Sequence, residues 1–368
     1  MSGTALARLL RDKSVIVCVG PGGVGKTTVS ATLALEGALA GRSALVCTID
    51  PARRLANSLG MEALGNAEAR IPDTALAQAG LRPSAPLHAM MLDMKQAWDA
   101  LIRRHAPADK QEKILANRFY KSLSTALAGS QEYVALEKLW ELSERRQYQL
   151  VVLDTPPTAH ALDFLDAPTR ILEFLDNEAA RLLLTPALAA GRVGLQLFSL
   201  GSSLLARTIA KLTGAETLRE LAGFLLSVSS LNQGFRERAR GVRELLGSPG
   251  TSFVLVTAPS PERLGETLRF HALLHEQGLS VGAVVVNRVH APPREEDRAR
   301  ARALPSPLRE QLLTTLAEQE VLARLDAEGI AQLRAGLGAT PLVEVPRFDR
   351  DVHDLRALHA TGHHLLGE

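Results

Sequence analysis

Apolar residues in this chain fall in short unbroken runs. Seven stand out: Val15–Val19, Ser43–Ile49, Leu87–Leu92, Gln149–Leu153, Ser252–Thr257, Val281–Val286 and Leu342–Val345. A strand with one wet face alternates apolar and polar positions. Continuous runs predict strands buried on both faces, the habit of parallel sheets. Between the runs the apolar spacing turns helical, over Thr28–Leu35, about 95–146, about 161–246 and Pro261–Gln277. This alternation predicts an α/β fold, a doubly wound and mostly parallel sheet covered by helices. The helical blocks at about 94–147 and 161–246 are too long for simple crossovers. They are read as one helical insertion subdomain on a single domain spanning 1–368. Inside it, Leu182–Ile209 is apolar and small, broken by Pro186, Gly191, Gly194 and Gly201. That stretch suits either buried helices or a pliable groove for an apolar client. Residues 288–328 are charged and proline-punctuated, which predicts exposed helices and loops. The tail from Val352 has few apolar anchors.

Ligands of such sheets sit at the carboxyl ends of the strands. The polar residues of interest fall there: the loop after Val19, then Asp50, Asp154, Asn287 and Pro346. The loop Gly20-Pro21-Gly22-Gly23-Val24-Gly25-Lys26-Thr27-Thr28 fits G-x-x-x-x-G-K-[ST] between strand and helix. Glycines let the backbone curl so that its N–H groups can face phosphates, and the helix N-terminus adds positive potential. Lys26 is placed to reach the β- and γ-phosphates and Thr27 to ligate Mg²⁺. Asp154 ends a buried strand, as the Mg²⁺-supporting acid of a P-loop enzyme does; a turn or helix-capping role is the alternative. Asp50 could orient or activate the attacking water, or cap the helix carrying Arg53 and Leu55. The expected cofactors are ATP and Mg²⁺.

Bulk properties narrow the field. There are 42 basic and 40 acidic residues, a formal net charge of +2, which leaves no electrostatic footprint for nucleic acid. Cys18 and Cys47, the two cysteines, lie inside apolar runs and form no C-x-x-C. Buried thiols without a disulfide framework fit a reducing cytoplasm. The N-terminus lacks a signal peptide's apolar core, and no run reaches spanning length. A cytoplasmic location is expected.

Thr48-Ile49-Asp50-Pro51-Ala52-Arg53-Arg54-Leu55 resembles the switch I segment of the ArsA-type ATPases. Asp154-Thr155-Pro156-Pro157-Thr158-Ala159-His160 is similar to their switch II, usually D-T-A-P-T-G-H. Gln131-Glu132-Tyr133 resembles a further family segment, Asn287 matches the adenine-reading Asn, and Pro346-Arg347-Phe348 lies at the adenine loop. The resemblance runs from about residue 14 to the C-terminus. It implies a dimeric Mg-ATPase, a homodimer or a heterodimer with a paralogue, whose nucleotide cycle opens and closes the pair. It further implies Asp50 as the water-activating carboxylate, Thr27 and Asp154 on Mg²⁺, and Gly20, Gly22, Gly23, Val24, Gly25, Lys26, Thr27 and Thr28 on the phosphates. An apolar client or a membrane-protein partner follows from the same likeness. Two features depart from the family. Its loop carries lysine where this chain has Pro21, which brings neither charge nor N–H. Arg53 and Arg54 are the nearest replacement candidates, at an interface. The zinc-binding C-x-x-C and the cysteines for arsenite are absent too. Other readings are a nucleotide-gated scaffold with little hydrolysis and a MinD/ParA-like positioning ATPase. A basic amphipathic C-terminal helix, expected of the latter, is missing.

Overall fold

A computed structural model describes residues 4–50, 54–118, 120–121, 130–156 and 232–367. The predicted strands all form: β1 (Val15–Val19), β2 (Ala44–Thr48), β4 (Leu87–Met91), β5 (Leu150–Asp154), β6 (Thr251–Thr257), β7 (Val281–Val289) and β8 (Leu342–Pro346). β3 (Ala69–Arg70) is an addition that no apolar run announces. The eight strands make one sheet in the order β3-β4-β2-β5-β1-β6-β7-β8. β3 runs antiparallel to β4, and every other pairing is parallel. This is the mostly parallel α/β sheet expected, with β1, β2, β5 and β6 buried at every position. Register matters for the site. Cys18 and Thr48 both pair with Asp154, so three strand ends meet at that carboxylate.

Two compact units divide the chain. One comprises Met1–Leu92, Glu141–Ala161 and Leu245–Glu368; the other comprises Asp93–Trp140 and Leu162–Glu244. In the first, α1 (Ala5–Asp12) is capped by Thr4, whose hydroxyl accepts from Ala7 N at 3.3 Å, and buries Leu6, Leu9 and Leu10. α2 (Lys26–Leu39) follows the glycine loop and is buried along most of its length. α3 (Arg54–Ser58) and α4 (Asp73–Gln78) are short. In the second unit, α5 (Met94–His105) starts at Asp93, whose carboxylate accepts from Gln96 N at 2.9 Å. α6 (Ala108–Ala116) follows, with α7 (Ser130–Arg145) as far as Trp140 and α8 (Asn232–Leu246) as far as Glu244. Trp98 stacks on Tyr133 at 6.0 Å, and Glu137 is ion-paired with Arg238. The helical block predicted from residue 161 is described only from Asn232 onward. The Leu182–Ile209 stretch, Arg53, and the switch II residues from Pro157 to His160 lie outside the described residues.

α9 (Pro261–Glu276) opens on proline, which suits a first turn where the N–H has no partner. α10 (Glu295–Arg302) precedes α11 (Leu308–Gly336). Pro305 and Pro307 therefore introduce a 29-residue helix rather than break it. α12 (Leu355–Leu366) corrects the reading of a weakly anchored tail. Leu355, Leu358 and Leu365 are buried, and the helix packs on α2. There Glu36 meets His359 Nδ1 at 2.8 Å, and Gly362 leaves room for the Glu36 carboxylate. No described helix is long and apolar enough to cross a membrane.

Candidate functional site

The loop between β1 and α2 needs glycine where the sequence has it. Gly20 has φ +151°, and a Cβ there would stand 2.0 Å from Val256 O. Gly23 and Gly25 have φ +74° and +95°, the left-handed region that penalises a side chain. At Gly25 a Cβ would also meet Asn287 Nδ2 at 2.3 Å. The loop is thus pressed between β6 and the end of β7.

Five successive carbonyls of this loop accept hydrogen bonds from side chains. Lys26 Nζ donates to Gly20 O and Pro21 O, both at 2.9 Å. Arg263 Nη1 donates to Gly22 O at 2.7 Å, and Arg288 Nη1 to Gly23 O at 3.1 Å. Asn287 Nδ2 donates to Val24 O at 2.9 Å. A trans peptide sets its N–H opposite its C=O. The N–H groups of Gly22, Gly23, Val24 and Gly25 are therefore turned away from these donors. Lys26 is 6% exposed, and burial lowers its pKa, with the charge of Arg263 adding to that against Asp154 and Asp50.

Asp154 is the chemical centre of the strand ends. Its Oδ2 accepts from Thr27 Oγ1 and from Thr48 Oγ1, each at 2.7 Å. Its Oδ1 is buried and has no hydrogen-bond partner. Burial pushes its carboxyl up to about 6, against the two threonine hydrogen bonds and the charge of Lys26. A buried, half-satisfied carboxylate beside a threonine hydroxyl is a donor set suited to a hard, oxygen-seeking cation. Thr155 Oγ1 donates to Cys18 O at 2.8 Å and ties the next residue to β1. Cys18 itself is a buried thiol, pushed up to about 12 mainly by desolvation.

A cavity of about 450 Å³ opens over these groups. Gly23, Gly25, Lys26, Thr27, Thr28, Asp50, Arg54, Thr155 and Arg288 line it. Asp50 lies at its wall, its N–H donating to Thr48 Oγ1 at 3.2 Å. A larger cavity, about 780 Å³, shares Gly23, Thr28 and Arg288 with the first. Its walls include Asn287, Pro346, Arg347 and Phe348. All of these residues belong to the first unit.

The structure thus brings together Lys26, Thr27, Asp50 and Arg54 at one cavity, with Asp154 buried behind Thr27, and Asn287 with Pro346–Phe348 at its neighbour. Arg263 and Arg288 escaped the sequence reading. Each had a signal available: Arg288 directly follows Asn287 at a strand end, and Arg263 lies in the first turn of the helix after β6. Thr48 escaped as well, because only strand register places it against Asp154.

A family model described as anion-transporting ATPase matches residues 13–305, well over half of the chain. The chain is 28% identical over 294 residues to ATPase GET3 of Malassezia globosa, covering 78% of this chain and 77% of that protein. It is 25% identical over 362 residues to ATPase GET3B of Arabidopsis thaliana, covering 93% and 76%. Against ATPase ARSA1 of Chlamydomonas reinhardtii the identity is 26% over 302 residues, covering 76% of this chain but 35% of that protein.

Proposed function

The chain belongs to the anion-transporting ATPase family, and on that premise we propose that it binds Mg-ATP in these adjoining cavities and hydrolyses it to drive a conformational change in a dimer. The observation that carries the reading is Asp154: Oδ2 holds Thr27 and Thr48, while Oδ1 is buried with no partner. Loop N–H groups and Lys26 bind the phosphates. Lys26 leaves its two loop carbonyls to do so, exchanging neutral acceptors for an anion. Asn287 and the Pro346–Phe348 loop hold the base. Thr27 and Asp154, the latter through water, would hold Mg²⁺, which would supply positive charge to the phosphates. Asp50, at the cavity wall, orients and activates the attacking water. The helical residues of about 94–147 and 161–246 form an insertion that responds to nucleotide state and serves a client or a membrane-protein partner. The dimer pairs two copies or one copy with a paralogue, and Arg54 is the described candidate for its interface. The protein acts in the cytoplasm.

Pro21 favours a second reading, a nucleotide-gated scaffold that hydrolyses little, because phosphoryl transfer depends strongly on positive charge at the phosphates. Steady-state ATP turnover of wild type, Lys26→Ala and Asp50→Asn, alone and with a paralogue, separates the two. Turnover lost in both variants supports the ATPase. Turnover unchanged by Asp50→Asn removes that residue from catalysis. ATP binding with no turnover in any combination leaves the scaffold.

A further inference from the structure

Arg288 and Arg263 hold a position that ordinary loop support does not explain. Arg288 is one of two described non-glycine residues with positive φ, at +63°. A side chain in that region costs about 1 kcal/mol or more and persists where the surroundings impose it. Here they do. Arg288 N donates to the Oδ1 of Asn287 at 3.0 Å, and Asn287 is itself buried and bound to Val24 O. The fixed backbone aims the guanidinium at Gly23 O. Among the described residues, Arg288 is the one cation that lines both cavities. Arg263 bonds the adjacent carbonyl, and its charge is felt at Lys26.

The three cations Lys26, Arg263 and Arg288 therefore crowd four consecutive carbonyls. Among the described residues, no carboxylate stands within ion-pair distance of either arginine. Asp351, which also lines both cavities, makes no ion pair with them either. Asp154 and Asp50 offset the charge of Lys26, but the two arginines set beside it without an ion pair raise the free energy of the empty site. A polyanion placed among them lowers it, and a planar guanidinium is well shaped for phosphate oxygens.

We propose that Arg288, with Arg263 beside it, binds the phosphate chain of the nucleotide and supplies from the same chain the positive charge that Pro21 lacks. The proposal rests on the nucleotide reading above. Each arginine lets go of a loop carbonyl and takes a phosphate oxygen, as Lys26 does.

Equilibrium titration with mant-ATP and mant-AMP, alongside thermal unfolding, tests it. Arg288→Gln and Arg263→Gln are each expected to weaken mant-ATP by roughly 10- to 100-fold and to leave mant-AMP nearly unchanged. Arg288→Lys should recover part of the loss. Arg288→Gly relieves the left-handed backbone, so it should weaken mant-ATP without lowering the melting temperature. Two outcomes overturn the proposal. In one, the Gln variants bind mant-ATP as wild type does while Lys26→Ala loses it. In the other, mant-ATP and mant-AMP weaken alike and the melting temperature falls, which makes the arginines loop clamps only. If wild type binds no mant-ATP at all, the nucleotide reading fails and this proposal falls with it.

Discussion

Asp154→Asn should stabilise the nucleotide-free, magnesium-free protein at neutral pH. The carboxyl moves from an ordinary 3.8 to about 6 in the folded chain, chiefly through burial. The folded state therefore holds this proton more tightly than the unfolded state. The stability linked to it is present below about pH 4 and is lost as pH rises through about 6. Above that pH the ionised carboxylate costs the fold about 3 kcal/mol, from a shift of about 2 units at ~1.4 kcal/mol each. Asparagine keeps the shape, and its carbonyl can accept from Thr27 and Thr48. Its amide nitrogen takes the place of the unpartnered Oδ1, and a buried donor left unsatisfied returns about 1–3 kcal/mol of that gain. A net stabilisation of about 0–2 kcal/mol at pH 7.5 is expected, falling away or reversing near pH 4.5. Urea unfolding in EDTA, followed by far-ultraviolet circular dichroism, is the assay. Tryptophan fluorescence is a poor probe, because both tryptophans, Trp98 and Trp140, lie in the helical unit. On the proposed Mg-ATP reading, added Mg-ATP should invert the order, because ligand binding stabilises the wild type and the variant lacks the charge proposed to hold the cation. An Asn variant less stable than wild type at pH 7.5 in EDTA would refute the reasoning. So would a stability gap that ignores pH.

Gly20→Ala places a Cβ 2.0 Å from Val256 O, a backbone atom with nowhere to go. A loss of more than about 3 kcal/mol is expected, read as insoluble expression or a large fall in urea midpoint. Gly25→Ala meets Asn287 Nδ2 instead, a side chain that can turn away. It should fold but lose the Asn287–Val24 bond and bind ATP weakly, which a titration against its urea midpoint distinguishes. Gly362→Ala presses on Glu36 Oε1 at 2.1 Å and should part Glu36 from His359. Faster amide exchange confined to α2 and α12 is the expected sign.

The sheet was legible because a parallel strand buried on both faces has no polar position to confuse the pattern. Val151–Leu153 and Val284–Val286 are fully buried and read as unbroken runs. β3 was not legible: two residues at an edge, Ala69 and Arg70, bury too little to leave a periodic trace. The tail helix was underrated for a related reason. Its three leucines satisfy α2, but its histidines hide that they also pack, as His359 does on Glu36. The proline-punctuated stretch over 288–328 does form helices and loops, and Pro305 and Pro307 stand just before the first turn of α11.

The site divides along the same line between local and non-local information. Gly25, Lys26 and Thr27 are local, because a loop that wraps phosphates must carry its glycines in a fixed order. Thr48 on Asp154 is not. It depends on β2 lying beside β5 in one register, and a slip of one residue would turn Thr48 to the other face of the sheet. Arg263 and Arg288 are further from legibility still, 241 and 265 residues along the chain from the carbonyls they bind. Pro21 therefore looked like a deficit when the loop was read alone. In the folded chain its carbonyl anchors Lys26 like that of Gly20. The role proline cannot fill is positive charge, and charge, unlike backbone conformation, can be delivered from any strand or helix that ends nearby. β7 and the start of α9 both end beside this loop, and each delivers an arginine.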